Sequence, residues 1–183
     1  MTSQVLFTIL ILVTGVERIV ELGISNNHAR WAFDRGGIES NRQQLPWMIS
    51  LHVGMLLGAL AEVWLLDRPF LPLLGWPMLV IALAAQAGRY WVIALLGKQW
   101  NTRVIVVPGL LLVRRGLYRW EGLRHPNYLI VAIEGIALPL VHTAWITALV
   151  FTVLNAILLL GFRIPAENRA LTGAAQIGTG VHT

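Results

Sequence analysis

The chain has 183 residues and a formal net charge of +5, and 56% of its residues are hydrophobic while only 13% are charged. Soluble domains carry about 25% charged residues, so this composition argues against a soluble domain and indicates a single domain in contact with lipid. The chain has no cysteine, which excludes disulfides, thiolate zinc sites and cysteine nucleophiles, and no metal site is predicted.

Five apolar stretches follow one another along the chain, at residues 5–22, 47–66, 70–96, 128–141 and 144–162. A membrane-spanning helix needs about 20 residues, so the short fourth stretch is predicted to pair with the fifth as a helical hairpin turning near residues 141–143. The first stretch lacks the basic leader and the cleavage site of a signal peptide. We therefore predict an all-α integral membrane domain over residues 1–172, with five transmembrane helices and a flexible tail at 173–183.

The basic residues predict the orientation of these helices. With the N-terminus outside, 11 of the 14 basic residues fall in cytoplasmic segments, Arg68 falls outside, and Arg18 and Arg89 lie within helices. The positive-inside rule then favours an N-out, C-in protein of the cell (inner) membrane. A four-span alternative would make residues 128–162 too long for one crossing. No basic–aromatic pattern favours nucleic acid, so we expect anionic membrane lipids as the partners of this charge.

The loop at residues 97–127 contains its own structural signals. Residues 102–107 are rich in β-branched side chains, a Pro-Gly turn signal follows, and residues 110–114 resume an apolar run. A short hairpin at the membrane face is predicted, with an irregular lid as the alternative.

Several polar side chains fall inside the predicted helices, where they are expensive in lipid and are therefore functional candidates. Glu17 and Glu21 are four residues apart and share a helix face; they either snorkel or pair with Arg18 or Arg89. A buried, partnered role is predicted for Glu134. The others are Glu62, interpreted as structural, and Asn155.

The densest polar–aromatic motif lies at residues 116–128, with the sequence GLYRWEGLRHPNY. Pro126 suits the first turn of a helix, so Arg124 and His125 are placed at a helix N-terminus, which attracts anionic groups. The alternative interpretation is an interfacial anchor of arginine, tryptophan and tyrosine.

This motif, followed by a hairpin and by an Arg-x-x-x-Glu element at Arg163 and Glu167, resembles the isoprenylcysteine carboxyl methyltransferase family over residues 86–171. That family has an Arg-His-Pro-x-Tyr motif, two closing helices and a C-terminal Arg-x-x-x-Glu-Glu. Asn168 replaces the second glutamate, and Leu117 replaces a common proline. The N-terminal half is similar to a bacterial branch that accompanies type III polyketide synthases and methylates long-chain products such as alkylpyrones.

The resemblance implies an S-adenosylmethionine-dependent methyltransferase without a Rossmann fold. Its motif places His125 and Tyr128 in the cofactor pocket, with Arg124 fixing the loop and with Arg163 and Glu167 supplied by the tail. Secondary candidates for cofactor contact are Gln86, Trp91, Trp100, Asn101 and Asn155. For any single tryptophan, packing or anchoring in the interface is the commoner role.

The methyl acceptor stays open at this point. An enol or phenol would use a base, either His125 or one of Glu21 and Glu134, whereas a carboxylate would need only an orienting arginine such as Arg89. A lipophilic acceptor would enter sideways between helices and reach a site facing the cytoplasm. The rival hypotheses are phospholipid N-methylation, an NADPH-dependent reductase of the sterol type, and a non-enzymatic membrane scaffold or transporter subunit. Protein partners and oligomeric state are not predicted.

Overall fold

The computed structural model describes residues 1–40, 42–110, 116, 126–167 and 169. In chain order its elements are α1 (Thr2–Phe33), β1 (Ile38–Ser40), α2 (Gln44–Leu65), α3 (Pro72–Leu96), β2 (Val104–Val106), α4 (Pro126–Leu140) and α5 (Trp145–Leu158). A 3-10 turn at Gly97–Gln99 follows α3, and α5 continues through a π-helical turn at Leu159–Arg163 to Glu167. The tail at residues 173–183 lies outside the described residues.

The helices agree with the five apolar stretches, and α4 with α5 forms the predicted hairpin. In the part that the structure describes, three helices are long and apolar enough to cross a membrane: α2, α3 with its 3-10 turn, and α5 with its continuation. The shorter α4 is also apolar, while α1 combines apolar with charged residues. The chain is therefore a mostly helical integral membrane protein, and five crossings with N-out orientation stay predictions.

One local prediction was wrong. The loop expected from residue 23 is helical as far as Phe33, because α1 continues for more than two further turns. A pairing that the sequence did not predict joins β2 to β1 in a two-stranded antiparallel sheet, with Ile105 opposite Glu39; the hairpin with the segment after β2 stays a prediction. The fold is thus not purely helical. Residues 111–114, the expected partner, lie outside the described residues.

Small residues bring the helices together. Gly135 on α4 lies under the ring of Phe151 on α5, where an added Cβ would come within 1.9 Å of a ring carbon. Gly58 on α2 similarly faces Thr147 on α5. Large apolar side chains such as Leu6, Leu73 and Leu160 instead point outward. Small residues inside and large apolar residues outside are the arrangement expected of helices that pack within lipid.

The two ends of the bundle differ. We call the end with the N-terminus, the α2–α3 turn and the α4–α5 turn the turn end, and the opposite end, with the two strands and Glu167, the loop end. At the turn end His142 is buried between the rings of Phe7 and Phe70. This burial lowers the pKa of His142, so the imidazole stays neutral there.

Glu62 connects α2 to the start of α5 at the turn end. Its carboxylate accepts the backbone N–H groups of Ile146 at 3.1 Å and Thr147 at 2.7 Å, and it pairs with Arg68 at 2.9 Å. The first turn of α5 has no side-chain cap of its own, and the glutamate of another helix satisfies its free N–H groups. The structural interpretation of Glu62 therefore fits these contacts.

Candidate active site

Two polar clusters lie inside the loop-end half of the bundle. The first, the loop-end cluster, consists of Thr102, Tyr128, Arg163 and Glu167. The second, the ionic cluster, consists of Arg18, Glu21, Arg89 and Glu134 and lies deeper in the bundle. Both use α4, since Tyr128 and Glu134 stand six residues apart on that helix, which is about 9 Å along its axis.

The tyrosine hydroxyl joins the two charged residues of the loop-end cluster. The hydroxyl of Tyr128 donates to the Glu167 carboxylate and accepts from Arg163 Nε at 3.1 Å. Arg163 Nη2 donates to the carbonyl of Thr102 at 2.5 Å, and the arginine is only 5% exposed. The hydrogen bonds described for this buried guanidinium thus go to neutral oxygens, which leaves its charge available to an anionic group.

The π-helical turn lies at the point where α5 reaches this cluster. Asn155, Leu159 and Arg163 follow one another at intervals of four residues, and all three are buried. Single π-turns occur mostly within longer helices and often at functional sites. Here the turn ends on Arg163 itself, so this break in the α-helical pattern coincides with the buried arginine.

Helix α1 supports the segment that carries Thr102. The hydroxyl of Ser25, 1% exposed, lies 2.8 Å from Asn101 Oδ1 and 2.6 Å from Thr102 Oγ1, and it accepts the N–H of Thr102 at 3.0 Å. One turn further on, His28 Nδ1 lies 2.8 Å from the carbonyl of Trp100. The carbonyl that binds Arg163 is therefore held in place by the extension of α1 that the sequence did not predict.

The ionic cluster connects three helices by charge pairs. Glu134 of α4 pairs with Arg89 of α3 at 2.7 Å and with Arg18 of α1. Glu21 of α1 pairs with Arg18 at 2.6 Å and lies 3.5 Å from Arg89. Three of the four side chains are nearly inaccessible, and Arg18 is slightly more exposed. Such burial is tolerated because every charge has an opposite neighbour.

Gln86 extends this network toward the surface of α1. It accepts from Arg18 at 2.9 Å and donates to the carboxylate of Glu17. Glu17 is only partly buried, and it is not part of the charge pairs. The two glutamates of α1 therefore have different contacts. Glu21 is paired with arginines, whereas Glu17 accepts a hydrogen bond from the side-chain amide of Gln86.

The structure brings together many of the predicted site residues. Tyr128 meets Arg163 and Glu167, while Glu21, Arg89, Glu134 and Gln86 form or adjoin the ionic cluster. Asn101 and Trp100 lie in the segment braced by α1, and the indole N–H of Trp100 is buried without a partner among the described residues. Trp91 is 46% exposed and belongs to neither cluster. Asn155 is buried on α5 and hydrogen-bonds to neither cluster within the described part of the chain.

Most of the motif at residues 116–128 lies outside the described residues, including Arg124 and His125. Asn168 also lies outside them. Gly116 is described, with a positive φ of 58°. An added Cβ there would meet the side chains of Leu95 and Trp91 at 2.8 Å and 3.1 Å. The glycine at the start of the motif is therefore required both by its backbone conformation and by its close approach to α3.

The comparisons decide the family. A family model described as the isoprenylcysteine carboxyl methyltransferase (ICMT) family matches residues 78–173, more than half of the chain. The chain belongs to this family. Membership indicates membrane methyltransferase activity. The chain is also similar to a protein of Bacillus subtilis (strain 168) described as uncharacterized protein YpbQ, at 35% identity over 167 residues, which are 91% of this chain and 96% of that protein. No solved structure matches.

The ICMT family match covers the whole loop-end cluster and half of the ionic cluster. Residues 78–173 include Arg89, Tyr128, Glu134, Arg163 and Glu167. Helix α1, which supplies Arg18, Glu21 and Ser25, precedes the match. Helix α1, which the ICMT family model does not include, therefore completes the ionic cluster and braces the loop-end cluster through Ser25. The similarity to YpbQ extends over most of the chain.

Sequence analysis missed Ser25, His28 and Thr102. A signal was present, because Glu17, Glu21, Ser25 and His28 follow at intervals of four, four and three residues and thus form a polar stripe on one face of a helix. The predicted end of the first helix at residue 22 divided this stripe. Thr102 acts through its backbone, which no side-chain pattern reveals.

Proposed function

We propose that this protein is an integral-membrane, S-adenosylmethionine-dependent methyltransferase that acts on a lipophilic acceptor at the cytoplasmic face of the inner membrane. The observation that carries the proposal is the meeting of Tyr128, Arg163 and Glu167 in one cluster. Tyr128 ends the Arg-His-Pro-x-Tyr motif, and the other two form the Arg-x-x-x-Glu element. These separate motif elements become neighbours through the hairpin of α4 and α5.

The residues of the loop-end cluster fit the charges of the cofactor. S-adenosylmethionine has a carboxylate, an ammonium group, ribose hydroxyls and a sulfonium. The Arg163 guanidinium suits the carboxylate, and Glu167 suits the ammonium group or the ribose hydroxyls. The buried indole N–H of Trp100, which lacks a described partner, offers a further donor at the same end. The cofactor supplies the reactive methyl group, while the protein holds donor and acceptor in line and excludes water.

The exposed apolar surface of the helices favours an acceptor that arrives from the bilayer. We infer that a long-chain molecule enters between helices and presents its polar group to the interior, in keeping with O-methylation of a polyketide such as an alkylpyrone or of another lipid carrying a hydroxyl or carboxylate. Phospholipid N-methylation and NADPH-dependent reduction are the alternative functions, and the experiment below distinguishes them from O-methylation.

The test measures binding of radiolabelled S-adenosylmethionine and of NADPH to purified protein in lipid nanodiscs. We expect binding of the methyl donor and about a tenfold loss of affinity in Arg163→Ala, because a buried charge-assisted contact is removed. Arg169→Ala is the matched control, since Arg169 is an exposed arginine two residues after Glu167 in the chain. His125→Ala and Glu167→Ala test the other two motif positions in the same assay.

Binding of NADPH in place of the methyl donor would overturn the proposed function. Equal affinity for the methyl donor in wild type, His125→Ala, Arg163→Ala and Glu167→Ala would overturn the assignment of the site. Transfer of the label to a phospholipid headgroup in a lipid extract would replace the O-methylation proposal with N-methylation.

A further inference from the structure

The ionic cluster leaves two polar atoms without partners among the described residues. They are Oε1 of Glu21, a hydrogen-bond acceptor, and Nε of Arg89, a donor. Both side chains are more than nine-tenths buried, with 3% and 5% of their surface exposed. The carboxylate and the guanidinium that carry these two atoms are neighbours, because Arg89 Nη1 lies 3.5 Å from Glu21 Oε2. A buried polar atom without a partner is expensive and needs an explanation.

A hydroxyl group matches this pair of atoms. Glu21 Oε1 needs a donor and Arg89 Nε needs an acceptor, and a hydroxyl provides both functions in one atom. A carboxylate would satisfy Arg89 but would place a negative oxygen beside Glu21. The ionic cluster contains two guanidinium and two carboxylate groups. The ionic cluster therefore has no excess positive charge with which to bind the carboxylate of an acceptor.

The position of the pair is compatible with a methyl donor at the loop-end cluster. Glu21 stands one helical turn before Ser25, which braces the segment bound by Arg163. The four residues from Glu21 to Ser25 advance about 6 Å along the axis of α1. Glu21 thus lies on the side of Ser25 that is away from the loop end, about one helical turn from the residue that braces the loop-end cluster.

We infer that Glu21 and Arg89 bind the hydroxyl of an enolic or phenolic acceptor and thereby select such acceptors over carboxylates, an inference that rests on the proposed methyl transfer. The acceptor oxygen accepts from Arg89 Nε and donates its proton to Glu21 Oε1. As that oxygen bonds to the methyl carbon, the carbon–sulfur bond of the sulfonium donor breaks and the electron pair returns to sulfur. The proton ends on Glu21 and leaves to solvent, so a sulfonium and a neutral hydroxyl give a thioether, a methyl ether and one proton.

The experiment compares two probes that differ only in their polar group, 4-dodecylphenol and 4-dodecylbenzoate. Binding of each radiolabelled probe is measured without methyl donor, by equilibrium dialysis against the full-length protein in lipid nanodiscs, and binding to empty nanodiscs is subtracted. We expect wild type to bind the phenol about tenfold more tightly than the benzoate. No variant is needed for this comparison.

Glu21→Gln should narrow this preference, because the phenol loses a charge-assisted hydrogen bond while the benzoate loses a repulsive neighbour. Glu17→Gln is the matched control, since it removes the same charge one turn away and should leave the preference unchanged. If Glu21→Gln does not fold, Arg89→Lys serves in its place, because lysine keeps the charge beside Glu134 and lacks the Nε donor. Conversion of 4-dodecylphenol to its methyl ether, measured with labelled S-adenosylmethionine, should fall in either variant.

The two proposals can fail separately. Benzoate binding equal to or tighter than phenol binding would overturn the hydroxyl site, as would an unchanged preference in Glu21→Gln and Arg89→Lys. If wild type prefers the phenol and loses this preference in Glu21→Gln but binds no S-adenosylmethionine, the hydroxyl site stands and the methyltransferase proposal fails.

Discussion

The hydroxyl of Tyr128 contacts both charged residues of the loop-end cluster. It stands between a guanidinium and a carboxylate, donating to Glu167 and accepting from Arg163. A phenolic oxygen can do both at once, and the opposite charges of its partners fix the direction of its proton. One oxygen atom therefore connects the start of α4 to the continuation of α5.

Tyr128→Phe removes this oxygen and leaves the ring. We expect the affinity for S-adenosylmethionine to fall about tenfold, because Arg163 and Glu167 lose their shared partner and their fixed geometry, while the helix content stays unchanged. Equilibrium binding together with far-UV circular dichroism checks this expectation. Tyr90→Phe, on the exposed side of α3, is the control. Equal affinity in Tyr128→Phe and wild type would show that the hydroxyl does not order the cofactor site.

At this scale the sequence predicted which polar residues lie inside the helices better than which of them contact one another. Glu21, Arg89 and Glu134 stood out because ionisable groups inside apolar helices are expensive. That Arg18 bridges Glu21 and Glu134 depends on how α1 is rotated against α4, and spacing within one helix contains no such information. The bond from Arg163 to the Thr102 carbonyl could not be predicted for a similar reason, since it ends on a backbone atom.

The start of α5 shows how an element can depend on a residue from another helix. Its first turn has no side-chain cap of its own, and Glu62 of α2 accepts the N–H groups of Ile146 and Thr147 and the hydroxyl of Thr147. A negative charge at a helix N-terminus is favourable. Because α5 continues to Arg163, an interaction at the turn end orients the helix that supplies a residue to the opposite end.

Glu62→Ala should destabilise the protein by about 2 kcal/mol, since two buried N–H groups and Arg68 lose their acceptor. For a chain of this size that corresponds to a fall in Tm of about 4–8 °C. Thermal unfolding in detergent, followed by circular dichroism, measures the change. Glu39→Ala is the control, because the ion pair that the described residues show for Glu39 is a long 3.9 Å contact with Arg103. Equal Tm values for the two variants would contradict the capping role.

The elements themselves were predictable to different degrees. The five apolar stretches correctly indicated where each of the helices α1 to α5 lies, because a helix that faces lipid needs a long run of apolar residues. The second half of α1 was not located, because the polar run Ser25-Asn26-Asn27-His28 is weak evidence for a helix. Among the described residues, the hydrogen-bond partners of Ser25 and His28 come from residues 100–102. The pairing of β1 with β2 joins segments more than 60 residues apart, and no local pattern specifies such a partner.

In the molecule as a whole, most of the described basic residues outside the helices, and both polar clusters, lie toward the loop end. Arg30, Arg35, Arg42, Lys98 and Arg103 lie in or beside the loop end, whereas Arg68 lies at the turn end and is paired with Glu62. Both polar clusters also lie in the loop-end half. The cofactor of the proposed reaction is a charged, water-soluble molecule made in the cytoplasm, so the positive-inside rule and the proposed reaction require the same orientation for independent reasons.

The absence of cysteine permits a direct test of this orientation by single-cysteine labelling. Thr2→Cys places a thiol at the turn end, and Gln43→Cys places one at the loop end; both positions are exposed. With the N-terminus outside, a membrane-impermeant maleimide should label Thr2→Cys in intact bacterial spheroplasts and should label Gln43→Cys only after permeabilisation. Wild type provides the background, because it has no thiol. Labelling of Gln43→Cys in intact spheroplasts would place the loop-end cluster on the outer face, away from the cytoplasmic supply of S-adenosylmethionine, and would contradict both the topology and the proposed site of methyl transfer.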